Sequence, residues 1–184
     1  EPWGTFAVLN AEGQSEVQWV KVSGGRSDTI NGATIPAMFA FHGSPVIIAD
    51  SQLINATGKA ALSLSDVYVD LKRVHFADNA GNGVLIDDAT AGSIEHSVFM
   101  NHGGSAIVLT SSPIIISDAE IDGSDGSCIE IARQSTPQIR ESALRNCAVG
   151  ISVAGDSHPM VENVVFEGNA IAMEATVEHN SDFP

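Results

Sequence analysis

The stretch ALRNCAVGISVAGDSHPMVENVVFEGNAIAM, residues 143–173, says nearly the same thing twice. Leu144 to Ile151 carries an apolar residue, Asn146, a small turn and a Gly-Ile pair; Phe166 to Ile171 repeats it with Asn169 and an Ala-Ile pair. Read backwards from Leu144, the mark recurs at Ile121, Phe99, Phe76 and Leu53, always 22 or 23 residues apart. A second aliphatic column precedes it at Ile48, Leu71, Ile94, Ile116, Ile139 and Val161. A third holds Leu62, Val84, Ile107, Ile129, Ile151 and Ile171, each partnered two residues on by Leu64, Ile86, Leu109, Ile131, Val153 and Met173. That i, i+2 pairing is strand periodicity. Small residues stand just ahead of the third column, at Ala61, Gly83, Ala106, Cys128, Gly150 and Ala170, and Asn/Asp/Gly turns separate the columns.

A period near 22 with three short strands per repeat and no amphipathic helix is the pattern of a solenoid. Leucine-rich repeats share this length, but their motif needs clustered leucines with an Asn inside the strand unit. Here the columns are β-branched or Phe, with Asn at the turn. The pattern therefore predicts an all-β, single-stranded right-handed parallel β-helix of about seven coils, three short strands per coil. Each coil sends apolar side chains inward at roughly 1.5–3 kcal/mol apiece, so stacked coils hold what one coil alone does not. The chain reads as a single domain over 1–184: a first coil with a long excursion and cap at 1–35, regular coils at 36–173, and a tail or continuation at 174–184.

Composition narrows the function. Asp plus Glu number 23 against 8 Lys plus Arg, a formal net charge of −15. Such a chain repels phosphate backbones and anionic membrane surfaces, which argues against nucleic acid as a partner. No run of about 18 apolar residues is present, so no membrane-inserting helix is expected. The acidity suits a secreted, periplasmic or cell-surface setting.

The repeat I-x-x-S-x-F-x-N, as in Ile94 to Asn101, joined to a Gly-led aliphatic strand, as in Gly83 to Ile86, resembles the coil of the pectate-lyase-like right-handed β-helix superfamily over about residues 36–173. The opening WGTFAVLNAEGQSEVQWVKVSGGRSDTINGA, residues 3–33, resembles the first coil of bacterial surface-associated β-helices found near spore-coat-H-like kinase domains. Where such relatives carry an acidic pair and a GDKGIS-like turn, this chain has GKAALSL and GSDGSCIEI. The superfamily resemblance implies a polysaccharide groove on the outer face of the Gly-led strands, with lyase or glycoside hydrolase chemistry if the domain is an enzyme.

The outward residues of that strand, Ser63, Leu85, Val108, Glu130 and Ser152, make a poor catalytic face. Glycosidic cleavage needs two suitably spaced carboxyls, and uronate elimination needs a base with cationic neutralisation. The next turn is richer: stacking aligns Asp66, Asp88, Ser111, Arg133 and Gly155, with Asp87 and Asp156 beside the line. Asp66, Asp87, Asp88, Glu130, Arg133 and Asp156 are the candidate substrate-binding set. Asp88, Glu130 and Arg133 are the candidate catalytic residues, and Asp66 with Asp88 the candidate ligands for Ca²⁺, the one cofactor considered. The competing reading is solvated turn carboxylates.

A second polar file, Asp50, Arg73, His96, Asp118, Glu141 and Asn163, alternates in sign with its neighbours and reads as cross-coil ion pairs. The histidines share no column and show no metal-ligand spacing. Asn55, Asn79, Asn101, Asn146 and Asn169 are expected to cap turns. Trp3 and Trp19 are expected to plug the first coil's open end rather than stack on sugars. Cys128 and Cys147 are expected to be buried reduced thiols, their Cα atoms beyond bridging reach. The alternative to a glycan-associated domain is a non-catalytic assembly module, contacting a protein partner or itself through Leu85 and Val108.

Overall fold

The repeat is realised by parallel stacking. Phe76 lies opposite Leu53 on one side and Phe99 on the other, and Leu71 opposite Ile48 and Ile94. Each column of the sequence is thus a line of side chains running along the axis of a right-handed parallel β-helix. The computed structural model describes residues 3–176. Of the expected tail at 174–184, the residues beyond 176 lie outside that range.

Strands Asn82–Asp87, Ala91–Glu95 and Val98–His102 define the first, second and third faces of a representative coil. The pattern runs from Phe6–Leu9 to Val165–Glu167 in seven such coils, and Ile171–Thr176 opens an eighth. The strands Glu120–Ala132 and Ala143–Ala154 run unbroken from the third face into the first, which joins those faces into one sheet. After Lys21–Ser23 the chain leaves the coil path as an antiparallel hairpin, Asp28–Ile30 with Ala33–Ile35. The hairpin turns on Asn31 and Gly32, both at positive φ, as a two-residue primed turn requires.

Alternation selects the core. Ile48, Leu53, Leu71, Phe76, Ile94, Phe99, Ile121, Ile139 and Leu144 are all fully or almost fully buried. Phe76 and Phe99 stack with centroids 4.6 Å apart and planes 3° from parallel. Their column explains the small residues opposite: a Cβ on Gly83 would lie 3.1 Å from Phe99 Cδ1 and 2.5 Å from the Ala106 carbonyl oxygen. In the last coil the register departs from the sequence reading. Ile151 pairs with Met173 and Val153 with Ala175, so the third column ends two residues later than Ile171 and Met173. A shift of two keeps the same strand face, which is why periodicity did not expose it.

All three corners turn through the left-handed region, on one residue in most coils and on two at the first corner of the sixth and seventh coils, where Gln134 and Asp156 join Arg133 and Gly155 at positive φ. The first corner uses Asn10, Gly43, Asp66, Asp88, Ser111, Arg133 and Gly155, and the second uses Trp19, Asp50, Arg73, His96, Asp118, Glu141 and Asn163. The third uses Gly24, Asn55, Asp78, Asn101, Gly123, Asn146 and Gly168. The amide that follows such a corner is turned inward and needs an acceptor. Buried serines of the next coil supply it: Val20 N donates to Ser51 Oγ, Val74 N to Ser97, Ala89 N to Ser112 and Ala119 N to Ser142, each at 3.1 Å. At the third corner asparagines do the same, Ala56 N donating to Asn79 Oδ1 and Cys147 N to Asn169 Oδ1, both at 2.9 Å. The single Asn column of the sequence therefore splits. Asn79 and Asn169 cap from inside, whereas Asn55, Asn101 and Asn146 are the corners themselves.

Two expectations are overturned here. Cys128 and Cys147 form a disulfide with Cα atoms 5.6 Å apart, and both are buried. Measuring along a straight strand put Cys147 out of reach, but the chain bends at Asn146, and both thiols point into the same corner. Trp19 is not a plug, since it is 79% exposed. Trp3 half-covers the end instead: its Nε1 donates to the Ser23 carbonyl at 2.7 Å, and its ring lies against Gly25. The cavity it lines, about 600 Å³ with Phe6, Val8, Val17, Val22, Phe39 and Phe41, leaves the first coil's interior open.

Candidate functional site

The first corner places the candidate residues one coil at a time. Register puts Ser65 beside Asp87 and Asp87 beside Thr110, so the next residues, Asp66, Asp88, Ser111 and Arg133, follow one another along the axis, with Gly155 beyond. Asp66 N donates to the Asp87 carbonyl and Asp88 N to the Thr110 carbonyl, each at 3.0 Å. Neighbouring side chains in this file emerge roughly 4.8 Å apart. Asp66, Asp88 and Arg133 have φ of 53°, 51° and 53°. Asp tolerates that conformation well and Arg does not, so the two carboxylates also serve the turn.

The candidate set divides into three groups. Asp66, Asp87 and Asp88 gather at the corner of the third and fourth coils. Arg133 and Asp156 line a depression of about 350 Å³ with Ser111, Gln134 and Gly155. Glu130 stands apart on the first face between Val108 and Ser152, accepting a hydrogen bond from Ser105 Oγ at 3.0 Å. Asp87 links the groups electrostatically. Its partial burial raises its pKa, the Asp88 charge raises it further, and Arg133 and His42 oppose the shift.

His42 escaped the sequence reading. It lies between Leu9 and Ser65 in the column that continues to Asp87, and its Nε2 lies 3.0 Å from Ser63 Oγ, in hydrogen-bond contact. Burial lowers its pKa against the opposing pull of Asp87. The signal was the Phe39 and Phe41 alternation, which places Ala40 and His42 outward. Ser63 is only 5% exposed, and the amides of this sheet are engaged across coils, so the pair lacks free donors for an oxyanion.

The candidate acid and base do not converge either. Asp88 is at the corner and Glu130 two coils further on, out on the face. Among the described residues no three His, Cys, Asp or Glu side chains are grouped to hold a metal ion. Asp66 and Asp88 offer two carboxylates where Ca²⁺ takes six to eight oxygens, so these residues do not fit a dedicated calcium site. Leu85 and Val108 are direct neighbours on the first face, each half-buried.

The second corner carries cross-coil pairs. Arg73 grips Asp50 with Nε on Oδ1 at 2.6 Å and Nη2 on Oδ2 at 2.7 Å, a contact that holds the Asp50 pKa below the usual carboxylate range. Lys72 lies 3.7 Å from Glu95, and His96 Nδ1 lies 3.8 Å from Asp118. On the third face Arg145 sits between Glu120 and Glu167 at 3.2 and 3.1 Å.

Comparison with known proteins agrees with this architecture. A family model described as a right handed beta helix region matches residues 29–182. No curated protein and no solved structure gives a significant match.

Proposed function

The chain belongs to the right-handed β-helix family, and from that premise we propose that it is an exported domain that binds a surface or secreted polysaccharide along its first corner. The observation that carries this reading is the file of Asp66, Asp88, Ser111 and Arg133, one polar side chain per coil along a straight line. Regularly spaced acceptors with a cation at one end suit an extended polymer of hydroxyl-bearing units better than a compact ligand. Asp87 and Asp156 flank the file, and Glu130 borders it on the first face. Export is supported by the Cys128–Cys147 disulfide, a bond that persists in oxidising compartments, and by the acidic balance.

Binding is favoured over turnover because the separation of Asp88 from Glu130 leaves no opposed acid and base. If turnover occurs, lyase or glycoside hydrolase chemistry is the class. A second reading, a structural module assembling through Leu85 and Val108, draws on their contiguity on the outer face. Affinity electrophoresis in gels containing neutral or uronate polysaccharides, with and without Ca²⁺, separates the two. Retardation that is lost in Asp88→Ala and Arg133→Ala supports glycan binding at the corner. Unchanged migration in every gel removes it, and release of reducing ends would convert the module to an enzyme.

A further inference from the structure

Trp19 occupies a position that nothing in the fold rewards. It stands in a corner file otherwise filled by Asp, Arg, His, Glu and Asn, at φ 59°, where a bulky aromatic is disfavoured. A side chain 79% exposed gains little from burial in return. Beside it lies a depression of about 210 Å³ lined by Trp19, Val20, Lys21, Asp50 and Gln52. One wall is aromatic and aliphatic; the rest is a carboxylate, an amide and an ammonium.

The polar wall is held in place. Asp50 is fixed by the two-point contact with Arg73, yet each carboxylate oxygen keeps a lone pair for a further donor. Gln52 stands on a strand in register with Lys21, and its backbone amide donates to the Val20 carbonyl at 2.8 Å. Lys21 and Gln52 therefore sit on paired strands, with Trp19 and Asp50 at the corners that lead into them, rather than on a long free loop, which favours a preorganised site. A flat apolar wall meeting a hydrogen-bonding wall matches the two aspects of a sugar ring, whose C–H face is apolar and whose edge carries hydroxyls.

We propose that Trp19, Val20, Lys21, Asp50 and Gln52 form a subsite for one uncharged pyranose ring, with Trp19 as the stacking platform and Asp50 and Gln52 as partners for its hydroxyls. The depression is smaller than the 300–1,000 Å³ of ordinary ligand pockets, so it takes one ring of a longer chain. A net charge of −15 disfavours a polyuronate as the occupant. This subsite shares the ligand class of the first-corner reading but none of its residues, so the two stand or fall separately.

Trp3, held by its bond to Ser23, is the internal control. Tryptophan emission of the wild type, Trp3→Phe, Trp19→Ala, Gln52→Ala and Arg133→Ala is titrated with cellohexaose, chitohexaose, mannohexaose and hexagalacturonate. The expected result is saturable quenching by at least one uncharged hexaose in the wild type and Trp3→Phe, with binding measured by calorimetry weakened about tenfold in Trp19→Ala and several-fold in Gln52→Ala. The proposal is overturned if no uncharged hexaose binds, if only hexagalacturonate does, or if Trp19→Ala binds as the wild type does. Saccharide binding lost in Arg133→Ala but kept in Trp19→Ala leaves the first-corner reading standing alone. The reverse pattern leaves only this subsite.

Discussion

Cys128 and Cys147 are bonded across the third corner, closing a loop with a sequence separation of 19, almost one coil of the solenoid. The bond ties the sixth coil to itself at the point where the third face passes into the first. In the chain-entropy account, a loop of this length restricts the unfolded chain by about 3 kcal/mol. The double variant Cys128→Ala/Cys147→Ala is expected to lose about that much stability in urea unfolding. A loss below about 0.5 kcal/mol would show that the neighbouring coils already fix the corner.

His102 is 2% exposed, sits edge-on to Phe99 and has no hydrogen-bond partner for either ring nitrogen among the described residues. Burial lowers its pKa from the ordinary 6.5 to about 4, with Asp78 opposing and His75 adding to the shift. Between those values the unfolded chain binds a proton that the folded chain refuses, so stability contributed above pH 6.5 is lost as pH falls toward 4. The difference is on the order of 3 kcal/mol. Urea midpoints at pH 7.5, 5.5 and 4.5 should fall more steeply for the wild type than for His102→Leu, and parallel slopes would count against this origin.

Phe99 fills the middle of the third-face column and stacks on Phe76. Phe99→Ala is expected to cost about 3–5 kcal/mol, because the coils on either side are tied by their ladders and close only partly over the gap. Calorimetric unfolding measures it, and a loss under about 1 kcal/mol would mean that the column repacks.

Ser97 Oγ accepts the Val74 amide at 3.1 Å and donates to the Glu95 carbonyl at 3.0 Å. Ser97→Ala leaves a buried N–H without a partner and should destabilise by about 1–3 kcal/mol. Arg73→Ala, which removes an exposed ion pair, should cost less than Ser97→Ala and respond to salt. Equal losses in the two variants would refute the role assigned to the serine.

Much of the fold was legible because the core is periodic. Leu53, Phe76, Phe99, Ile121, Leu144 and Phe166 recur at coil length, and a buried column cannot drift without exposing its neighbours. The corners were harder to read. Gly24 or Asn55 announces a left-handed residue, but Arg73, His96, Glu141 and Trp19 do not. They adopt it because the ladders on either side fix the chain path. Ser97 was visible only as the S of the repeat I-x-x-S-x-F-x-N, and its capping role, like that of Ser142, depends on which coil lies next door. The Cys128 bridge was missed for a related reason, the bend at Asn146 being invisible to a distance counted along the chain. At the candidate site, the line of Asp66, Asp88 and Arg133 followed from spacing. His42 did not, because the columns were traced back only as far as Ile48.

Because nearly every corner is one residue whose shape is imposed by the rungs above and below it, its side chain is free to change without disturbing the interior. Evolution is thereby handed a pegboard: three rows of interchangeable outward groups, set at the pitch of the coil, on a barrel that need not be redesigned. Specificity can be rewritten one peg at a time.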